Sequence, residues 1–274
     1  MSNNQTIVLV TGASSGLGKT TAEHLASKGF YVFASAPSSE LDKLEAMRSA
    51  NIEPLELDIT DDNMITAAID HIQSTKGRLD VLVNNAGYGL YGSIEGLTIE
   101  QVQHCFNVNV FGTGRMIQAV LPMMRGQKSG KIINVTSVVG KISTPMLGWY
   151  AATKHALEAL SDALRLEVAA LGITVVIIEP GTTRTGFEEI SMDILAKSDD
   201  PADYDEIKEK FRVLNRNGFK KAPGPEGVAH AIHHAVVSKR PKIRYRVGQD
   251  AKIFITVKQM ISDRLMDRLI RSQY

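Results

Sequence analysis

With a single cysteine, Cys105, in 274 residues, the chain can form no internal disulfide and cannot build a zinc cluster from several thiolates. A reducing compartment is therefore expected. Excess charge of either sign is also missing: 31 lysines and arginines face 30 aspartates and glutamates, for a formal net charge of +1. No long-range field marks a nucleic-acid binder, and a small neutral partner fits better. Long apolar runs are lacking too. No stretch reaches the roughly 18 consecutive apolar residues of a membrane span, and behind the polar opening Met1–Thr6 the run Ile7–Val10 is too short for a signal-peptide core. A cytoplasmic protein without a membrane span is expected. There is no internal repeat, no low-complexity tract and no metal-ligand spacing, since His233 and His234 are adjacent rather than one helical turn apart. No metal is expected, and Cys105, beside Phe106, reads as a small buried hydrophobe.

What is present is an alternation. Short apolar runs rich in β-branched residues recur at Ile7–Val10, Tyr31–Phe33, Val81–Val83, Ile132–Val135 and Ile173–Ile178. Stretches with helical spacing separate them, at Thr20–Lys28, Met64–Ser74, Ile99–Met124 and Ala151–Ala170. Strands apolar throughout are buried on both faces, so the pattern predicts an α/β fold, a doubly wound parallel sheet with helices on either side. The length suits one domain over residues 1–274. From Gly186 to Pro225 the texture changes. Asp199-Asp200-Pro201 and Pro223-Gly224-Pro225 interrupt two short helical segments, which predicts a mobile substrate loop or lid over 186–225. A helix at Glu226–Ser238, a last strand at Ile243–Val247 and an amphipathic tail at Ala251–Arg271 follow, the tail expected to pack on the domain or a neighbouring subunit rather than a membrane.

Thr11-Gly12-Ala13-Ser14-Ser15-Gly16-Leu17-Gly18 joins the first strand to the first helix. Glycines there permit torsions and close approaches that a Cβ would block, while the helix N-terminus offers free N–H groups to a pyrophosphate. The spacing differs from the Gly-x-Gly-x-x-Gly fingerprint, and Gly16 and Gly18 are too close for a P-loop, which disfavours a nucleotide triphosphatase.

Taken with Asn84-Asn85-Ala86-Gly87 after the Val81 run, and Tyr150-Ala151-Ala152-Thr153-Lys154 further on, this turn resembles the short-chain dehydrogenase/reductase family. The likeness spans Ile7 to Thr185 and includes Asp58 in Leu57-Asp58-Ile59-Thr60, Asn109 in Asn107-Val108-Asn109-Val110, Ser137, and Pro180-Gly181 with Thr185. Asn84–Leu121 and Arg244-Tyr245-Arg246-Val247-Gly248 further resemble the branch of 17β-hydroxysteroid and retinol dehydrogenases. The resemblance implies a Rossmann-type fold and an NAD(P)-dependent oxidoreductase. Its implied catalytic group is Tyr150 as general acid and base, Ser137 on the reacting oxygen, Lys154 on the nicotinamide ribose and Asn109 supporting a water path. Implied cofactor contacts are Gly12, Ser14, Ser15, Gly16, Leu17 and Gly18 in the turn, then Asp58 with Ile59 at the adenine. Asn84, Ala86 and Gly87 follow on the adenosine side, and Pro180, Gly181, Thr183 and Thr185 join Tyr150 and Lys154 on the cofactor. A homodimer or homotetramer paired through the helix at 151–170 is implied as well.

The residues support that chemistry on their own terms. If Tyr150–Leu171 is helical, Tyr150 and Lys154 share one face. A free tyrosine ionises near pH 10, and an adjacent positive charge is expected to favour phenolate, making Tyr150 a base for alcohol oxidation or an acid for ketone reduction.

Ala34-Ser35-Ala36-Pro37-Ser38-Ser39 offers no carboxylate to a ribose diol and no arginine, Pro37 standing where one is expected by resemblance. Ser35, Ser38 and Ser39 can donate to a 2′-phosphate, with Lys43 in the vicinity, so NADP(H) is expected ahead of NAD. Apolar Met146, Leu147, Trp149 and Phe187 point to a hydrophobic secondary alcohol or ketone. Two alternatives remain. A nucleotide-sugar epimerase or dehydratase would need more chain after Pro180 for its sugar-binding region, and a non-catalytic dinucleotide sensor would not need Ser137, Tyr150 and Lys154 together.

Overall fold

The computed structural model describes residues 5–274; the polar opening at Met1–Asn4 lies outside the described residues. Among the described residues, seven strands form one parallel sheet in the order β3-β2-β1-β4-β5-β6-β7, comprising β1 (Ile7–Thr11), β2 (Tyr31–Ala36), β3 (Ile52–Glu56), β4 (Val81–Asn84), β5 (Gly130–Val135), β6 (Ile173–Pro180) and β7 (Arg244–Val247). Helices α1 (Gly16–Ser27), α2 (Leu41–Glu45), α3 (Asp62–Lys76), α4 (Ile99–Phe106), α5 (Thr113–Gln127) and α6 (Gly148–Val168) alternate with the strands, and α9 (Glu226–Val237) precedes the last one. Strand order reverses between β1 and β4, and the crevice at the carboxyl ends of those strands is where doubly wound sheets place ligands.

The alternation of side chains along each strand sorts the core into two layers. Val8, Val10, Ala34, Val83, Ile133 and Val176 face α1 and α9, while Leu9, Phe33, Leu82, Ile132 and Val175 face the side of α3 and α5. Burial on both faces accounts for the unbroken apolar runs of β1, β4, β5 and β6.

Three elements differ from the sequence expectation. β3, Ile-Glu-Pro-Leu-Glu, alternates buried with partly exposed residues rather than running apolar throughout, and carries Pro54, which the edge of the sheet tolerates because a ladder donor is not required there. The stretch expected as one helix, Ile99–Met124, is broken by a π-helical segment at Asn107–Gly112. Tertiary contacts hold that distortion, since Gly112 lies against Ile59 with no room for a Cβ and Asn109 Nδ2 donates to Tyr88 O at 3.0 Å and Thr153 Oγ1 at 3.1 Å. The tail forms two helices, α10 (Gln249–Met260) and α11 (Asp263–Arg271), which bury Ala251, Ile255 and Met266 against the rest of the chain. Between β6 and α9, the expected insertion forms α7 (Phe187–Lys197) and α8 (Asp205–Lys221).

Arg244 of β7 fastens the edge strand to α6. It contacts Glu158 Oε2 at 3.1 Å, Asp162 Oδ2 at 2.6 Å and Glu179 Oε1 at 3.4 Å, while Lys141 reaches Glu158 at 2.8 Å. Glu158 and Glu179 are 3% and 0% exposed, so removing their shared cation leaves buried carboxylates under-compensated. Arg244→Ala is expected to cost about 3 kcal/mol, read as a fall of roughly 6–12 °C in Tm. An unchanged Tm would show that Lys141 on Glu158 and Arg246, 3.5 Å from Glu179 Oε2, suffice.

Candidate active site

The glycine-rich turn is closed by steric necessity. Gly12 adopts φ +63°, and a Cβ on it would stand 2.8 Å from Ala86 Cα. A Cβ on Gly18 would collide with the Gly12 carbonyl and with Asn85 Nδ2. Thr11 and Asn85 stitch the turn to β4: Asn85 N and Ala86 N each donate to Thr11 Oγ1 at 3.1 Å, and Asn85 Nδ2 donates to Thr11 O and Gly12 O at 3.0 Å. α1 starts at Gly16 with no side-chain cap from Ser15, so its first N–H groups keep their positive end free beside Ser14, Ser15 and Leu17. A cradle that excludes Cβ atoms, above an uncapped helix end, fits a pyrophosphate. Gly18→Ala is therefore expected to raise the dinucleotide Kd at least about tenfold, the equivalent of ~1.4 kcal/mol, in a fluorescence titration; unchanged affinity would show that the turn yields.

The adenosine side is more mixed. Asp58 Oδ1 accepts from Thr60 N at 2.8 Å and Thr60 Oγ1 at 2.7 Å, so one oxygen is committed to a local turn and Oδ2 is left for a ligand. Asp61, not Asp58, caps α3 through Asn63 N and Met64 N. Ile59 is buried against the π segment. Asn84 belongs to a buried polar chain, donating to Asn134 Oδ1 at 2.9 Å while Asn134 donates to Ser161 at 2.8 Å. Ser35 corrects the sequence expectation: β2 runs on to Ala36, so Ser35 is fully buried and its hydroxyl donates to Val10 O at 3.2 Å. It is unavailable to a 2′-phosphate. Ser38 and Ser39 are exposed, and Lys43 pairs with Glu40 at 2.5 Å.

At the far side of the crevice, Ser137, Tyr150, Lys154 and Asn109 converge. α6 begins at Gly148, which places Tyr150 and Lys154 one turn apart on a buried face, with Lys154 Nζ 5.8 Å from the Tyr150 ring centre. Lys154 Nζ donates to Val135 O at 3.1 Å. Ser137 Oγ accepts from Val139 N at 3.3 Å and lies close enough to the Tyr150 phenol to lower its pKa. Asn109, in the π segment, accepts from Tyr88 N at 3.0 Å and donates to Tyr88 O at 3.0 Å and Thr153 Oγ1 at 3.1 Å, tying the loop after Gly87 to α6. Gly87 packs between Asn109 and Lys154, since a Cβ there would stand 2.9 Å from Asn109 Oδ1 and 3.7 Å from Lys154 Nζ.

Burial reverses one expectation about acidity. Burial pushes the Tyr150 phenol above its ordinary range, with Tyr91 and Cys105 adding to the rise, and the nearby Ser137 hydroxyl only partly opposes it. Phenolate is thus not favoured here; Tyr91 and Phe187, at ring separations of 6.3 Å and 5.8 Å, enclose the hydroxyl-bearing ring and exclude water. Lys154 is pushed down to about 8 by burial. Burial likewise raises Cys105 to about 12, an inert thiol.

Pro180 ends β6, and Gly181 N donates to Val247 O at 2.8 Å. Asp250 fills the space a Gly181 Cβ would occupy, and accepts from Thr182 N at 2.6 Å. Thr183 donates to Gly181 O at 3.1 Å, and Thr185 lies against Gly16, so this segment reaches the phosphate turn. Three substrate-side segments also meet: Gly92 N donates to Met146 O at 3.0 Å, Trp149 Nε1 to Ile94 O at 3.1 Å, and Ser93 N to Asp200 Oδ1 at 2.8 Å. Sequence reasoning did not assign site roles to Thr11, Asn85, Thr153, Tyr91 or Asp250. Thr11 and Asn85 lay inside the quoted motifs, whereas Asp250 is 68 positions from Thr182 and carries no local signal.

A parallel sheet with a phosphate cradle at its reversal point and a Ser-Tyr-Lys cluster across the crevice defines a dinucleotide-dependent oxidoreductase. The chain belongs to the short-chain dehydrogenase family, whose model matches residues 6–193. It is an NAD(P)-dependent oxidoreductase acting on CH–OH or C=O groups. It is 36% identical to the 3-ketodihydrosphingosine reductase of Bacteroides thetaiotaomicron, over 98% of this chain and 97% of that one. It is also 36% identical to the NADPH-dependent 3-dehydrocapnine reductase of Ornithobacterium rhinotracheale, over 95% and 94%. The crystal structure of a short-chain dehydrogenase from Streptomyces avermitilis superposes with a TM-score of 0.84 at 34% identity, covering 98% of this chain and 96% of that one. Among the described residues no helix is long and apolar enough to cross a membrane, and no group of three potential ligands is placed to hold a metal.

Proposed function

We propose that the protein reduces a hydrophobic ketone to a secondary alcohol with NADPH as the preferred reductant, Tyr150 supplying the proton. The observation that carries this reading is the burial of the Tyr150 phenol beside Ser137 and Lys154. A phenol that is protonated at neutral pH is placed to donate to a carbonyl oxygen, and the Lys154 ammonium one helical turn away offsets the cost that burial sets on the phenolate left behind. When bound, the nicotinamide supplies the hydride. Ser137 orients the carbonyl oxygen by donating a hydrogen bond, and Tyr150 passes its proton to that oxygen as negative charge develops there. Lys154, still cationic at neutral pH with a pKa of about 8, stabilises the charge left on Tyr150 and holds the nicotinamide ribose. Asn109 keeps the loop after Gly87 in register with α6 and supports the water path that reprotonates the site.

The missing carboxylate at the end of β2 supports NADPH, since Ala34 to Ser39 leave nothing to repel a 2′-phosphate and exposed Ser38 and Ser39 can donate to it. Two relatives whose names describe ketone reduction, one of them NADPH-dependent, support the direction. The α7–α8 insertion, bringing Phe187 over Tyr150, acts as the lid, and a homodimer paired through α6 is the assembly proposed. The test is a panel of ketones read by NADPH and NADH absorbance. Ketone-dependent oxidation, faster with NADPH, is expected; inactivity of every ketone with both cofactors would contradict the reading, and a strong preference for NADH would overturn the cofactor assignment.

A further inference from the structure

A cavity of about 1020 Å³ opens beside the catalytic cluster and runs away from it, between the segment after Ser137, helix α8 and the two C-terminal helices. Its inner end is formed by Val138 and Val139, which directly follow Ser137, by Leu147, just ahead of Tyr150, and by Thr182, after Gly181. Leu214 of α8, Phe254 of α10 and Ile270 of α11 continue it outward. The volume sits at the upper end of the roughly 300–1000 Å³ of pockets for drug-sized ligands, so a small ketone would leave most of it unfilled.

The distribution of polarity is informative. The lining residues that are themselves buried are Val139, Ile142, Leu147, Phe211, Ala222 and Met266, all apolar. Of its charged side chains, Lys221 and Lys252 are exposed, and Asp250, partly buried, is committed to Thr182 N and Ala251 N. Thr144 Oγ1 is buried without a hydrogen-bond partner and lies beside Tyr274, and Thr182 adds a partly buried hydroxyl near the inner end. An occupant therefore meets mainly non-directional apolar contact along its length, with the two lysines where the groove opens to water and the one carboxylate already hydrogen-bonded within the protein.

From this we infer that the groove between α8 and α10–α11 receives the aliphatic chain of a long-chain ketone, whose carbonyl lies at Ser137 and Tyr150. This substrate class rests on the ketone-reductase reading. It assigns the C-terminal helices, which the sequence offered only as packing elements, to substrate selection.

The test uses straight-chain 2-alkanones from 2-pentanone to 2-decanone. Each added methylene buried in the groove should raise kcat/KM about fourfold, the equivalent of ~0.8 kcal/mol, so that the series spans at least about a hundredfold. Binding of the same ketones to enzyme loaded with oxidised cofactor, a complex that cannot react, should show the same trend by calorimetry. Gly218 of α8 lines the groove, and a Cβ there meets nothing within 4 Å. Gly218→Phe thus places a ring in the groove without a backbone clash and replaces a poor helix former. The ratio of kcat/KM for 2-decanone to that for 2-pentanone should fall at least about tenfold in this variant, the equivalent of ~1.4 kcal/mol. A flat wild-type series, or an unchanged ratio in Gly218→Phe, overturns the inference while leaving ketone reduction standing. Chain-length-dependent binding without turnover of any ketone would sink the reductase reading and leave the groove assignment intact.

Discussion

Tyr150→Phe is expected to lower kcat for ketone reduction by roughly 10²- to 10⁴-fold, the range for loss of a positioned general acid, while the Kd for the dinucleotide stays within a few-fold. The substitution removes one oxygen and keeps the ring that packs between Tyr91 and Phe187, so the enclosed pocket survives. What disappears is the donor next to Ser137. Because burial raises the Tyr150 phenol, the wild-type acid remains protonated through neutral and mildly alkaline pH. Loss of reductase activity as pH rises through about 8 would therefore report Lys154 shedding its proton, not Tyr150. Stopped-flow measurement of NADPH oxidation separates the step from product release, and a Tyr150→Phe protein with wild-type rates would remove the residue from the chemistry.

Lys154→Met should move activity and stability in opposite directions. Turnover falls by roughly 10²-fold or more, as expected for a residue placed to stabilise developing charge, and dinucleotide affinity weakens because one ammonium serves both the phenol and the ribose. The cofactor-free protein, in contrast, becomes more stable. Lys154 is 5% exposed and its pKa is pushed down from 10.5 to about 8 by burial, so the folded chain holds a charged amine it would release more readily than the unfolded chain. A depressed folded-state pKa contributes stability above the unfolded value and loses it as pH falls through the folded one, so below about 8 the charged amine is a net cost. Methionine fills similar volume without that charge but gives up the hydrogen bond to Val135 O. The net gain at neutral pH is on the order of 2 kcal/mol. Denaturant melts across pH 7 to 11 check it: wild-type stability should climb relative to the variant between about 8 and 10.5. Parallel curves would mean that the amine is solvated in the folded protein.

The sheet was legible where burial on both faces left a run of apolar residues, as in β1, β4, β5 and β6. β3 was not, because an edge strand needs neither an apolar outer face nor every ladder donor, and Pro54 with two glutamates masks it. The glycine turn and the Tyr150–Lys154 pair were readable because their constraints are local: a missing Cβ and one turn of helix. Ser35 was misjudged because β2 runs to Ala36, and a hydroxyl inside a sheet bonds to the neighbouring strand instead of a ligand. The π segment around Asn109 left no trace in the pattern, since the contacts that hold it come from Tyr88, Thr153 and Ile59. Charge pairing along α6 suggested an acidified phenol, but a sequence shows which groups are neighbours, not how much water they have lost, and at Tyr150 the lost water dominates. Asp250 and the groove reaching α11 arise from the return of the chain to the crevice after β7, a matter of tertiary packing alone.

The central claim is that the buried phenol of Tyr150 delivers a proton to the carbonyl oxygen in the same step that reduces it. Single-turnover oxidation of NADPH by a long-chain ketone, followed in ordinary and in heavy water, tests it most directly. The wild-type rate should drop in heavy water, and the slow residual rate of Tyr150→Phe should be insensitive to the solvent; identical sensitivity in both proteins would place the proton donor elsewhere.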